Sequence, residues 1–201
     1  MKKWIIAAIA LLLVGGAVAG GILLFGGDEY KRMQKRLSLP AKELVLQVTV
    51  GEDKERLTAC YQVQSLNGRD SITYSYEEFA SFILQDGVYV PPPERKNTVT
   101  GSMLVENGRV VELDGEAPSL PPELVMLSSL RFEEACFTNA VLTETTFEAD
   151  VADPKTFLGL SEGVENMHLS LSFDEEHVRT MALRYDSALG NPVILQFAFV
   201  Y

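Results

Sequence analysis

From Glu43 to the carboxyl terminus the dominant rhythm of the chain is two residues. Leu46, Val48 and Val50 alternate with Gln47 and Thr49, and Leu57, Ala59, Tyr61 and Val63 alternate with Thr58, Cys60, Gln62 and Gln64. Successive side chains of a strand point to opposite faces, so the pattern predicts strands buried on one face and wet on the other. Asn67-Gly68, Asp86-Gly87 and Asn107-Gly108 each separate two strand-like runs, as in a two-residue hairpin whose turn needs positive φ. Met103 to Glu106, followed by Asn107-Gly108 and Arg109 to Leu113, is the clearest case. Hairpins in series make neighbouring strands antiparallel, which predicts a meander rather than a βαβ array.

Two stretches break this rhythm. Pro121-Pro122 opens Glu123 to Leu130, where Leu124, Met126, Leu127 and Leu130 suit a short helix. Asp153-Pro154 opens a second, Lys155 to Leu160, ended near Gly163. Proline is preorganised for the first helical position, and both helices are read as coverings for the sheet. Further on, Met167, Leu169, Leu171 and Phe173 face one way, as do Met181, Leu183 and Tyr185. Matching apolar to apolar sets Leu169 against Leu183, Leu171 against Met181 and Met167 against Tyr185, with a loop from Asp174 to Val178; a one-residue slip would set Leu171 against Thr180. Asn191-Pro192 starts a last strand, Val193 to Tyr201, apolar on both faces and so expected in a central or covered position. The fold class predicted is α+β, mostly β: an antiparallel sheet with two short covering helices.

Ahead of the sheet the pattern is different. Trp4 to Phe25 is a run of 22 uncharged, largely apolar residues, long enough at about 1.5 Å per residue to cross a bilayer core of about 30 Å. Lys2 and Lys3 precede it as in a signal sequence. Ala17-Val18-Ala19 resembles a cleavage site before Gly20, but the apolar run continues from Gly21 through Phe25, which favours an uncleaved signal-anchor. No cysteine closes the segment, which excludes a lipid-modified lipoprotein. Gly16 and Gly20, with Ala17 and Gly21, repeat the small-x-x-x-small spacing that lets transmembrane helices approach. Residues 1–27 are therefore expected to form a transmembrane anchor, 28–42 a polar stalk (a short helix ended by Pro40), and 43–201 the β-rich domain. Positive charge flanks both sides of the span. The signal-like layout and the β-rich domain behind it place that domain outside the cytoplasm, on a single-pass membrane protein.

Charge divides sharply along the chain. Residues 1–37 carry six basic and two acidic side chains, net +4, leaving 11 basic and 26 acidic in the remainder, net −15, of the whole-chain −11. The basic residues of the stalk suit lipid headgroups. A domain so acidic is repelled by phosphate backbones, which sets nucleic acid aside as a partner.

No catalytic motif emerges: the chain lacks H-E-x-x-H, G-x-S-x-G, a phosphate loop and Rossmann glycines. It is read as non-enzymatic, with no cofactor or metal. The two cysteines, Cys60 and Cys136, are 76 positions apart with no Cys-x-x-Cys, and a bridge would require the fold to bring their α-carbons within about 7 Å. By the register above His168 lies opposite Arg184 on the solvent side and His177 in the hairpin loop, and the sequence offers neither an orienting partner. Glu133-Glu134 and Asp174-Glu175-Glu176 read as solvated loop charge, the latter lacking the alternating spacing of a calcium loop. Pro91-Pro92-Pro93-Glu94-Arg95-Lys96 reads as a stiff polar connection.

The segments MLVENGRVVELDG, TTFEADV, MHLSLSFDEEHVRTMALRYDS and NPVILQFAFVY together resemble the LolA/LolB and LppX-like carrier superfamily, over roughly residues 43–201. That resemblance implies a strongly curved sheet, a half-barrel, whose concave apolar face is lidded by helices and takes up lipids or other hydrophobic molecules in the bacterial envelope. It also marks a departure, because those carriers are soluble or lipid-anchored and a chain held by its own span cannot shuttle. Two function classes follow. The first is a membrane-anchored binding module for a lipid or other hydrophobic ligand, with Leu124, Met126, Leu127 and Leu130 as lid residues. The second is an envelope structural or protein-interaction domain with no small-molecule ligand.

Overall fold

Alternating side chains from ten strands line up in rows across one sheet. The computed structural model describes residues 27–81, 83–85, 88–90, 94–115, 122–127, 129–159 and 164–201. The apolar run 4–25, where the anchor and its glycine spacing are expected, lies outside these residues, as do 91–93. The elements are α1 (Gly27–Leu37), β1 (Glu43–Val50), β2 (Leu57–Leu66), β3 (Arg69–Phe79), β4 (Ile83–Gln85), β5 (Val88–Val90), β6 (Lys96–Glu106) and β7 (Arg109–Asp114), then α2 (Pro122–Leu127), β8 (Phe137–Leu142), β9 (Thr146–Val151), α3 (Pro154–Leu158), β10 (Glu165–Phe173), β11 (Val178–Asp186) and β12 (Pro192–Val200). Among the described residues no helix is long and apolar enough to cross a membrane.

The sheet is antiparallel throughout and runs β7-β6-β3-β2-β1-β12-β11-β10-β9-β8, with β4 and β5 forming a separate hairpin. It is two meanders rather than the single one expected. The chain starts at the centre, works out to β7, crosses to the far edge at β8, and works back until β12 pairs with β1 over all eight residues of β1. The central position of β12 matches its two-sided apolar sequence. Asn67-Gly68 and Asn107-Gly108 turn with φ of 53°, 78°, 51° and 73°, the left-handed pair that a type I′ hairpin requires.

One row across the inner face consists of Leu46, Phe197, Met181, Leu171, Phe147 and Leu142, contributed by β1, β12, β11, β10, β9 and β8 in turn. The next row is Val48, Leu195, Leu183, Leu169 and Ala149. All eleven side chains are buried, and burying each of the larger ones contributes about 1.5–3 kcal/mol. The registers Leu169–Leu183, Leu171–Met181 and His168–Arg184 are as expected, but Met167 does not oppose Tyr185. Asn166 is the reason. It adopts φ 52°, tied through its side-chain amide to Asp186 at 2.7 Å, and inserts a bulge between the Glu165–Asp186 and His168–Arg184 pairs. A second register shift beyond Ser172–Thr180 pairs Phe173 with Val178, so Val178 opens β11 instead of closing the loop.

Both covering helices are shorter than expected. In α3, Asp153 caps the start by accepting from the Thr156 N–H at 3.0 Å. Gly159 stops it at φ 69°, its N–H on the Lys155 carbonyl. α2 ends at Leu127, so Leu130 follows it outside the helix. Each contributes to the core, through Met126 from α2 and Phe157 and Leu158 from α3.

The segment expected to be a polar stalk is a helix that belongs to the core. Tyr30 and Met33 of α1 are buried, and Leu37 packs against the same cluster. Spaced three and four apart, these residues form one stripe on an otherwise charged helix. The Tyr30 ring stacks on Phe137 at 5.8 Å within a cluster that includes Phe132, Phe147 and Phe157. The Gln34 amide fastens the helix on both sides. Its oxygen accepts from the Phe132 N–H at 2.6 Å and its nitrogen donates to the Leu130 carbonyl at 3.2 Å.

Candidate functional site

The buried apolar residues form two clusters. The larger lies under α1 and α3. The smaller consists of Val63, Ile72, Tyr74, Met103 and Val105 on β2, β3 and β6. Leu44, Tyr61 and Leu124 pack against both. Between the clusters is a partly open, mainly apolar pocket of about 580 Å³.

Strand register accounts for its floor. Phe199, Leu44, Val63 and Ile72 form one continuous inner-face row across β12, β1, β2 and β3, and all four line the pocket. The following row on the same face is Ser65, Asp70 and Val105, and these form a rim. The Asn67-Gly68 turn sets that row, because a two-residue loop after Leu66 pairs Leu66 with Arg69 and Ser65 with Asp70. The Ser65 hydroxyl donates to Asp70 Oδ1 at 2.6 Å. One wall is the carboxyl-terminal turn of α1, with Gln34 and Leu37, and the chain from Ser38 to Ala41 behind it.

Leu124, Leu127 and Leu130, three of the four residues expected to form a lid, line the opposite wall. Met126 does not, since it points into the larger core cluster. The position of α2 over the sheet also registers electrostatically. Burial pushes the Tyr61 and Tyr185 hydroxyls up in pKa, and the Glu123 carboxylate adds to both shifts. Sequence reasoning missed Asp70. Its signal is the alternation Asp70, Ile72, Tyr74, Tyr76, which puts a carboxylate on the inward face of β3.

The remaining candidate residues are placed elsewhere. His168 hydrogen-bonds through Nδ1 to Asp150 Oδ1 at 2.9 Å, so the expectation that it lacks an orienting partner is corrected. The carboxylate comes from the adjacent strand β9, a pairing that local sequence does not announce. Asn139 donates to the other oxygen of Asp150 at 2.8 Å; the Asn139 and His168 bonds together hold this carboxyl below its ordinary pKa. His177 lies in the β10–β11 loop, its ring 4.2 Å from that of Tyr201. Asp174 braces that loop: the His177 and Glu176 N–H groups and the Arg179 guanidinium converge on it. These contacts hold its carboxyl at about 2. Cys60 and Cys136 are both free thiols, raised in pKa by burial. Among the described residues no three His, Cys, Asp or Glu side chains gather to hold a metal ion. A second cleft of about 510 Å³, bordered by Glu52, Glu165 and Asp186, is more polar than apolar. No protein-family model matches the chain, and no curated protein matches it either.

Proposed function

We propose that this chain is a membrane-anchored, extracytoplasmic binding module for a lipid or other hydrophobic ligand, non-enzymatic, with the apolar pocket as its site. The observation that carries the reading is the floor row Phe199–Leu44–Val63–Ile72, left partly uncovered beneath α2. Its volume of about 580 Å³ falls within the roughly 300–1,000 Å³ of small-molecule sites, which are mostly apolar with a few placed polar groups. In this reading the sheet curves as a half-barrel in the manner of the LolA/LolB and LppX-like carriers. Residues 4–25 form the anchor, and the tether makes the domain a local presenter or sensor of its ligand. Leu124, Leu127 and Leu130 act as the lid.

The test is extraction of the detergent-free fragment 27–201 followed by mass spectrometry. A stoichiometric hydrophobic molecule, lost on Leu127→Glu in a fragment that keeps its native spectrum, supports the reading. A pocket holding only water in the purified fragment defeats it. The alternative, an envelope protein-interaction domain without a small-molecule ligand, is favoured by β7, an edge strand with exposed Val110, Val111 and Leu113. Unpaired edges of this kind accept a further strand. Under that alternative a charge placed at Val111 abolishes capture of one specific partner and Leu127→Glu does not.

A further inference from the structure

We propose, resting on the binding reading above, that the pocket takes a single-chain amphiphile with a cationic head, an amine or quaternary ammonium, seated against Asp70. Asp70 is the only ionisable side chain among the described residues that line the pocket. It stands on the same face as the apolar floor, one pleat further along β3 than Ile72. Two residues of strand separate the rows by about 7 Å, the offset between a buried hydrocarbon and a head at its mouth. Ser65 occupies one carboxylate oxygen. The second has no hydrogen-bond partner among the described residues and is free to receive a ligand.

Lys42 continues the Ser65–Asp70 row, since the Ser65 N–H donates to its carbonyl, but its side chain is exposed and makes no ion pair with Asp70 among the described residues. Arg69 is adjacent in sequence but lies on the opposite face of β3, where it pairs with Glu106 at 2.8 Å. No lysine or arginine lines the pocket among the described residues, so an anionic head would meet Asp70 with nothing there to pair it. The carboxyl-terminal turn of α1 lines this space through Gln34 and Leu37, while its Arg36 is directed elsewhere, over the Phe173 ring and onto the Glu175 carbonyl. The −15 of residues 38–201 lowers the potential further and favours cations approaching from solution. The size argues for one chain. At roughly 30 Å³ per water-sized group, close to the size of a methylene, about 580 Å³ accommodates a chain of roughly twelve to sixteen carbons and its head.

The experiment uses the full chain in phosphatidylcholine nanodiscs and a twelve-carbon alcohol carrying a diazirine, with cross-linked peptides quantified by mass spectrometry. Labelling of the 4–25 peptide reports partition into the bilayer, and labelling of the peptides bearing Val63, Ile72 and Leu127 reports the pocket. Dodecyltrimethylammonium, dodecanol and dodecyl phosphate are then compared as competitors of pocket labelling. The cationic competitor is expected to act at least fivefold below the anionic one, the size of a partly screened charge pair. Asp70→Asn, whose amide oxygen can still accept from the Ser65 hydroxyl, is expected to erase that difference between the cationic and anionic competitors. Equal competition by all three, or a preference for the phosphate, overturns the head assignment while the pocket stands. Label confined to 4–25 in the unsubstituted protein overturns the pocket reading itself.

Discussion

Filling the pocket separates a real cavity from a loosely drawn patch of core, and Val63→Phe does so with opposite signs for the two cases. Val63 is almost fully buried, yet it lines the pocket from the middle of the floor row, between Leu44 and Ile72. Phenylalanine suits a strand and adds four side-chain carbons. At about 0.8 kcal/mol per buried carbon the ceiling on the gain is about 3 kcal/mol. Partial openness of the pocket and lost rotamer freedom reduce this, leaving a stabilisation of about 1–2 kcal/mol, within the range usual for cavity-filling substitutions. For a domain of this size each kcal/mol is worth about 2–4 °C in Tm. The assay is thermal unfolding of fragment 27–201 with and without the substitution, paired with titration of a fluorescent long-chain alcohol. A higher Tm together with weakened probe binding is expected, since the new ring occupies the ligand's place. Overpacking of a solid core costs about 1–3 kcal/mol instead. A lower Tm would therefore refute the argument, whatever happens to the probe.

Three further outcomes follow from the same geometry. A Cβ at Gly101 would fall 2.2 Å from the Tyr74 hydroxyl and 2.3 Å from the Asp114 carbonyl oxygen; since the latter is backbone, Gly101→Ala should cost about 2 kcal/mol or more in urea unfolding and loosen β7. Gln34→Leu leaves the buried-side Phe132 N–H and Leu130 carbonyl without their partners, a loss of about 1–3 kcal/mol, which limited proteolysis should register as early cutting within α1. Asp174 has its folded pKa lowered from 3.8 to about 2, so its contribution is present in full above about pH 4 and is lost as pH falls towards 2. Asp174→Asn should flatten that part of the acid-unfolding curve and leave stability above pH 5 independent of pH at this position.

What was legible in the sequence is what depends on neighbours a few residues away. The two-residue turns were, because Asn-Gly accepts positive φ at both positions, and the Leu169–Leu183 register was, because only one pairing keeps every apolar side chain inward. The Asn166 bulge was not: Met167 faces inward with or without it, so the apolar pattern is the same in both cases. The pairing of β1 with β12 joins residues about 150 positions apart, and the only local trace of it was that β12 is apolar on both faces. The role of α1 was present as the Tyr30, Met33, Leu37 stripe but was outweighed by the charged residues around it. Leu124, Leu127 and Leu130 could be chosen by helical spacing, whereas the division that sends Met126 to the core depends on where the helix is set down.

The same topology explains why an apolar seam is left at all. Because β7 and β8 are opposite edges of one ten-stranded sheet, the chain between Asp114 and Phe137 must travel from one edge to the other. Passing over the inner face lets its leucines bury against the floor, and α2 is where it does so. One short crossing has to cover what α1 and α3 do not. Those two helices and the aromatic cluster cover the β8-to-β12 half, leaving β2, β3 and β6 with five buried residues of their own and Leu124 above them. Among the described residues there is therefore too little covering material on one side of β1, and the shortfall appears as the pocket.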